Sequence, residues 1–349
     1  MRIKGFADLG ETKEYFRSRG IESKNIRNTD WFYTLPMAIG THLGDFSDEH
    51  SKLYVDAITY AIENGVNFID TAVNYRGIRS ERDIGKVLRY LINEKRTIKR
   101  EELVISTKGG QIFGDGQLGI KPIDYLEKIL IPEGILERKD VNIIENRRHT
   151  LEPSFYKTAI EMSKENLGIE TIDIYYNHNP EISMYVLGDE LFYKQFEKLV
   201  EFYEEQVQLE NIRFYGMATW DAFISDPDSR WYISLEKAMD IVKAVAGENH
   251  HFKFIQLPYN KFMNLANTKL NQSLKGKNYT TIEAANKLGL MVTISSPLNQ
   301  GEGLNKDNLS SKELLRYGID TEGVYAAMVG TKTRAHLQEN LSAIFQESK

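Results

Sequence analysis

Four residues could carry out a proton transfer if the fold brought them together: Asp70, Tyr75, Lys108 and His178. A free phenol has a pKa near ~10 and gives up its proton reluctantly at neutral pH. An ammonium beside it favours the phenolate, so Lys108 is expected to lower the Tyr75 pKa and make it a better acid. A buried lysine needs a carboxylate to keep its charge, a part that suits Asp70. A neutral imidazole at His178 can donate a hydrogen bond to a carbonyl oxygen and hold it near Tyr75. The set suits protonation of an oxyanion formed as hydride reaches a carbonyl carbon. The hydride must come from a bound cofactor, because no side chain supplies one. Taken singly, each residue has a plainer reading: Asp70 before Thr71 as a turn or helix cap, Tyr75 as a packing aromatic, Lys108 as a surface strand end, and His178 as a structural histidine.

The elements that must position these residues follow from hydrophobic period. Apolar runs of strand length fall at 35–40, 67–72, 103–108, 172–177, 213–219, 252–258, 290–296 and 325–330. Several are continuously apolar, as strands buried on both faces are. Between them, 50–64, 190–208, 235–246, 281–288 and 335–345 carry helical stripes, and Gly65, Gly168 and Gly289 sit where left-handed helix caps are expected. About eight strand-then-helix units predict a parallel (β/α)8 barrel of the triosephosphate isomerase type, with an open doubly wound sheet as the alternative. Chemistry in such a barrel sits at the C-terminal strand ends, where Asp70, Lys108 and His178 fall. The expected organisation is an N-terminal extension over 1–34 and one barrel domain over 35–349, with a loop insertion at 110–152. That loop holds Gly114, Gly116 and Gly119 in the spacing of a dinucleotide fingerprint. No strand abuts them and Pro122 follows where the phosphate-binding helix should begin, so a plain loop is the better reading.

Composition narrows the function. With 44 Lys and Arg against 50 Asp and Glu, the net charge is −6 and no face is expected to attract nucleic acid or an anionic membrane. The basic cluster Lys95, Arg96, Lys99 and Arg100 reads as a solvated helix end. The absence of cysteine excludes disulfides and thiolate catalysis, and the adjacent His250 and His251 offer no metal-ligand spacing, so no metal site is expected. No apolar run approaches the ~18 residues of a membrane span. A cytoplasmic enzyme acting on a small molecule is the expectation.

Several motifs carry a family resemblance. The run Asn67-Phe-Ile-Asp-Thr-Ala-Val-Asn-Tyr75, followed by Ser80-Glu81 and Ile84-Gly85, resembles the signature of the aldo-keto reductase superfamily. So do Ile105 to Lys108, Asp173 to Pro180, Ile255-Gln256 with Tyr259-Asn260, Pro297-Leu298 with Gln300-Gly301, and Gly330-Thr331-Lys332 leading to Glu339-Asn340. The resemblance implies that Tyr75 is the general acid, that Lys108 and Asp70 tune it, and that His178 orients the carbonyl. It further implies that NADP(H) lies across the barrel mouth without a Rossmann domain. In this reading the nicotinamide is held near Thr219, Gln256 and Ser295, and the rest of the cofactor by Pro297, Leu298, Gln300, Gly301, Gly330 and Thr331. Lys332, Thr333, Arg334 and His336 cluster at a helix start where cations and hydroxyls can hold a 2′-phosphate, and Asn340 matches an adenine contact.

The chain departs from the family at two places. Where a Ser-Asn pair usually follows the fifth strand, it reads Gly216-Met-Ala218-Thr219-Trp220, and Ser295 stands where many members stack an aromatic ring on the nicotinamide. A lost hydrogen bond and a lost stack, each on the order of 0.5–1.5 kcal/mol, predict cofactor binding weaker by roughly one to two decades. Trp220, Phe113, Tyr125 and the long loop are expected to shape an apolar substrate pocket, while Arg147 and Arg148 read as solvated. The expected function is reduction of an aldehyde or ketone by NADPH. The alternatives are a cofactor-binding sensor or accessory subunit of the same fold, and a Schiff-base chemistry at Lys108.

Overall fold

The computed structural model describes residues 2–305 and 309–345, so 306–308 and 346–349 of the expected barrel span lie outside the described residues. Eight parallel strands form a closed barrel in sequence order: β1 (Met37–Gly40), β2 (Phe68–Asp70), β3 (Val104–Gly109), β4 (Ile172–His178), β5 (Ile212–Ala218), β6 (Phe252–Pro258), β7 (Met291–Ser295) and β8 (Val324–Gly330). β8 pairs with β1, Gly330 opposite Gly40, which closes the ring and removes the open-sheet alternative. The observed strands match the expected runs to within one or two residues at most ends.

Helices follow the strands around the barrel. Asp48–Glu63 is capped by Ser47, whose side chain accepts from His50 N, and Pro153–Leu167 ends on Gly168 in the left-handed region (φ 69°). The helix expected over 190–208 begins nine residues earlier, as Glu181–Gln208, and is broken by Gly188 at φ 75°. The helical stripe is interrupted at that glycine, which is why the first two turns are invisible to the pattern. Arg79–Leu88 and Ser311–Ile319 also form helices that the periodic reading passed over.

Period-two alternation divides the core. Ala38, Phe68, Val104, Ile174, Tyr176, Phe214, Phe254 and Met328 fill the barrel interior, while their neighbours along each strand pack against the helices. The same phase puts Asp70, Lys108, His178, Ala218, Gln256, Ser295 and Gly330 at the mouth end of the interior-facing register. The opposite end is covered by the N-terminal residues and the hairpin Arg27–Asn28 with Tyr33–Thr34: Trp31 lies 4.5 Å from the Phe214 ring, and Phe32 stacks on Phe254 at 6.2 Å. The insertion after β3 has structure of its own, including an antiparallel hairpin of Asn142–Ile144 with Arg147–His149. Its glycines form a turn closed by the Asp115–Ile120 bridge and pinned to helix Arg79–Leu88 by Arg82 and Asp115 at 2.6 Å; contrary to expectation a short helix, Pro122–Tyr125, does follow, because proline is tolerated at a first helical position. Among the described residues no helix is long and apolar enough to cross a membrane.

Candidate active site

The four chemical residues meet at the mouth. Lys108 is fully buried and donates to Asp70 Oδ2 at 2.6 Å and to the Thr71 carbonyl at 2.8 Å. Asp70 is fixed from two other strands, its Oδ1 accepting from Ser106 Oγ (2.7 Å) and Gln256 Nε2 (3.1 Å). The loop after β2 runs along β3, with Thr71 N donating to the Ser106 carbonyl and Val73 N to that of Lys108. This lacing sets the Tyr75 ring centre 4.9 Å from Lys108 Nζ and 5.6 Å from the His178 ring. Beyond Tyr75, Arg76 takes the left-handed region (φ 48°) and is anchored by the buried Asp83 at 3.0 Å and by Ser51.

Electrostatics correct one expectation. Burial raises the Tyr75 pKa, and the opposing influence of Lys108 recovers only part of that rise, so the phenol lies above its ordinary value rather than below it. The phenol therefore stays protonated at neutral pH, as an acid must. Burial is the largest single influence and works against the Lys108 ammonium, but Asp70 and Tyr75 together outweigh it and hold the lysine pKa above the usual range. Burial, aided by the Lys108 charge, drives His178 far below the histidine range. His178 is consequently a neutral imidazole, and among the described residues its buried Nδ1 has no hydrogen-bond partner.

Above these residues opens a cavity of about 400 Å³. Of the residues expected to hold a cofactor, Thr219, Gln256 and Ser295 line it near β5 to β7, followed by Pro297, Leu298, Gln300 and Gly301, and Gly330, Thr331, His336 and Asn340 line it at the β8 side. Thr219 Oγ1 is buried without a partner among the described residues, and Asn340 Nδ2 donates to Thr331 Oγ1. Lys332, Thr333 and Arg334 lie outside the lining: Thr333 caps helix Arg334–Ile344, and Arg334 forms a forked pair with Asp56. Trp220 faces the cavity, but Phe113 does not. It packs beneath, 5.0 Å from Tyr125 and 5.8 Å from Phe155. The wall nearest Tyr75 is accordingly more polar than expected, with Asn74, Gln111 and Asn179 beside Trp220.

Two residues at this mouth escaped the sequence reading. His42, two positions past the end of β1, has its ring 4.7 Å from Tyr75, and burial pulls its pKa down. The strand-end rule that found Asp70 and His178 would have found it too. Glu181, just past His178, is fully buried and accepts from Trp220 N at 2.7 Å, fixing the loop after β5, and burial pushes its carboxyl up to about 7. Nothing in its spacing distinguishes it from a surface acid in a helix first turn.

A model of the aldo/keto reductase family matches residues 36–301, a span that holds all four residues of the cluster. The chain belongs to the aldo/keto reductase family. Solved aldo/keto reductases share the fold at low identity. One from Klebsiella pneumoniae, in complex with NADP and acetate, is 18% identical over 94% of this chain and 92% of its own, with a TM-score of 0.59. The glycerol dehydrogenase of Gluconobacter oxydans is also 18% identical, with the same coverages and a TM-score of 0.63. A Bacillus halodurans aldo-keto reductase in holo form is 16% identical over 91% of this chain and 89% of its own, at 0.59. No curated protein matches the chain.

Proposed function

We propose that this aldo/keto reductase is an NADPH-dependent carbonyl reductase with Tyr75 as its general acid. The observation that carries the reading is the buried Lys108–Asp70 pair under Tyr75, with neutral His178 facing the same cavity. Bound NADPH supplies the hydride. Support for that cofactor comes from the cavity itself. It runs from Tyr75 to Asn340, and the unpartnered Thr219 hydroxyl beside Gln256 suits a carboxamide, while Gly330, Thr331 and Asn340 suit the nucleotide end. The Klebsiella pneumoniae protein binds NADP in a barrel of the same fold.

Tyr75 gives its proton to the substrate oxygen as negative charge develops there. Lys108 stabilises the phenolate left behind, and Asp70 keeps the lysine charged against the cost of burial. His178, uncharged, donates to the carbonyl oxygen and holds it over Tyr75. Among the described residues the cavity lining includes no lysine or arginine, whereas Asn74, Gln111 and Asn179 offer amides. A small neutral carbonyl compound bearing hydroxyls suits that wall better than an anionic or long apolar one.

Oxidation of NADPH, followed at 340 nm with glyceraldehyde, propanal and succinic semialdehyde, tests this reading. Turnover is expected, fastest with glyceraldehyde, and Tyr75→Phe is expected to lower kcat by about 10³-fold or more while Tm stays within a degree or two. Wild-type rates in Tyr75→Phe would remove the assigned mechanism. NADPH binding without turnover of any carbonyl would favour the sensor reading. Borohydride trapping of a substrate on Lys108 would favour the Schiff base.

A further inference from the structure

The insertion hairpin reaches the catalytic cluster through one buried imidazole. His149 is fully buried and both of its ring nitrogens have partners: Nδ1 lies 2.6 Å from Ser183 Oγ, and Nε2 lies 3.2 Å from Asn177 Oδ1. Because an amide oxygen only accepts, Nε2 carries the proton and Nδ1 accepts from the serine hydroxyl. Ser183 in turn accepts from Asn142 Nδ2 at 2.8 Å, so the chain of bonds runs from one strand of the hairpin to the other through helix Glu181–Gln208. Tyr156 closes the set by donating to the same Asn177 oxygen at 2.8 Å. Asn177 is the residue before His178, and alternation along β4 points it outward where His178 points in.

The same hairpin holds the other side of the site. Ile112 N donates to the Arg148 carbonyl at 2.9 Å and Thr150 N to the Gly110 carbonyl at 3.0 Å, placing Gln111 opposite His149. Gln111 Oε1 accepts from Asn74 Nδ2 at 3.3 Å, and Asn74 immediately precedes Tyr75. Gly110 makes the approach possible: a Cβ there would stand 2.6 Å from His149 Nε2, and its φ of 124° suits glycine. Among the described residues nothing bonds His178 Nδ1, so its placement depends on the backbone at the end of β4.

We propose that His149 is a positioning residue of this active site, bracing the β4 end through Asn177 and the Tyr75 loop through Gln111, so that the insertion sets the distance between His178 and Tyr75. The proposal rests on the reductase reading for its catalytic consequence, but not for its geometry. A charged His149 would have to give up its bond from Ser183, and complete burial, which drives its pKa down to about 3, keeps it neutral.

The test compares His149→Ala, His149→Gln and Gly110→Ala with His251→Ala, a control at the far end of the barrel where the lost partner is Glu204. Glyceraldehyde reduction, Tm and the histidine 13Cε1 NMR signals are measured on each. His149→Ala and Gly110→Ala are expected to lower kcat about tenfold or more, with KM for NADPH changed less than twofold, and to shift the His178 signal. Glutamine, which can donate to Asn177 and accept from Ser183, is expected to restore kcat to within about threefold. His251→Ala is expected to lower Tm and leave both kcat and the His178 signal in place. Unchanged kcat and an unmoved His178 signal in His149→Ala would overturn the brace and leave the reductase reading standing. Absence of turnover in the wild type, with the His178 signal still moving in His149→Ala, would overturn the reductase reading and leave the brace.

Discussion

Two buried ion pairs sit at opposite ends of this barrel and serve different ends. At the mouth, Lys108 and Asp70 are 2.6 Å apart; at the closed end, Arg100 and Asp173 are 2.7 Å apart, both buried. The partners of the second pair are backbone groups. Asp173 accepts from Ala7 N and Ile105 N, and Arg100 donates to the carbonyls of Leu103 and Thr171. Those bonds tie the N-terminal segment and two strand starts into one knot. The partners of the mouth pair are chiefly side chains, Ser106 on β3 and Gln256 on β6, and two bonds from Lys108 still leave its charge beside the Tyr75 ring. In the proposed mechanism the mouth pair serves chemistry while the other serves closure, in keeping with the division of labour between barrel ends.

Substitution should separate them. Lys108→Met removes the charge proposed to stabilise the Tyr75 phenolate and is expected to lower kcat by roughly 10³-fold, with folded protein still recovered. Arg100→Met leaves Asp173 charged and buried with only two backbone donors. It is expected to cost about 3–5 kcal/mol and, for a chain of this size, to lower Tm by roughly 4–7 °C, with kcat retained below the transition. Steady-state kinetics and calorimetry on the two variants check the crossing. A kcat loss in Arg100→Met equal to that of Lys108→Met would erase the distinction between the ends.

The mouth pair was readable because its residues close apolar runs, and the barrel follows from eight such runs. The pair at the closed end was hidden by composition. Arg100 falls in a cluster that reads as solvated; Lys95, Arg96 and Lys99 are indeed exposed, while Arg100 turns inward to Asp173. No local pattern separates the one buried cation from its three exposed neighbours, because the partner lies 73 residues away in the chain. Phe113 was misread for a related reason: an aromatic in a loop near the site looks like pocket wall until the helix that buries it, Pro153–Leu167, is in place. His149 shows the same limit, since strand alternation within a long loop is too short to stand out.

The histidines extend the comparison to pH. His149 is satisfied on both nitrogens, while His178 Nδ1 has no partner among the described residues, yet burial lowers both pKa values. Their folded pKa values lie below the unfolded value near ~6.5, so the unfolded chain binds more protons in acid. Stability is therefore complete above about pH 6.5 and falls in acid; for His149 the fall extends down to about pH 3 and is on the order of a few kcal/mol, and His178 acts in the same direction. Urea unfolding between pH 7 and 4 should show this slope, and His149→Gln should flatten it. A slope unaffected by that substitution would assign the acid sensitivity elsewhere.

A third ion pair sharpens the contrast by being exposed. Arg334 and Asp56 are both about half exposed, so solvent screens their forked contact and leaves it weak. If Arg334 holds Asp56 in the working enzyme, it is not free to grip a 2′-phosphate, and Arg334→Ala should raise KM for NADPH less than threefold. Lys332, which makes no ion pair among the described residues, is then the cation left for that phosphate. Lys332→Ala should raise KM for NADPH about tenfold and leave KM for NADH nearly unchanged, since only the first cofactor carries the extra charge. A larger loss of NADPH preference in Arg334→Ala than in Lys332→Ala would show that Arg334 exchanges Asp56 for phosphate, which so weak a surface pair would readily permit.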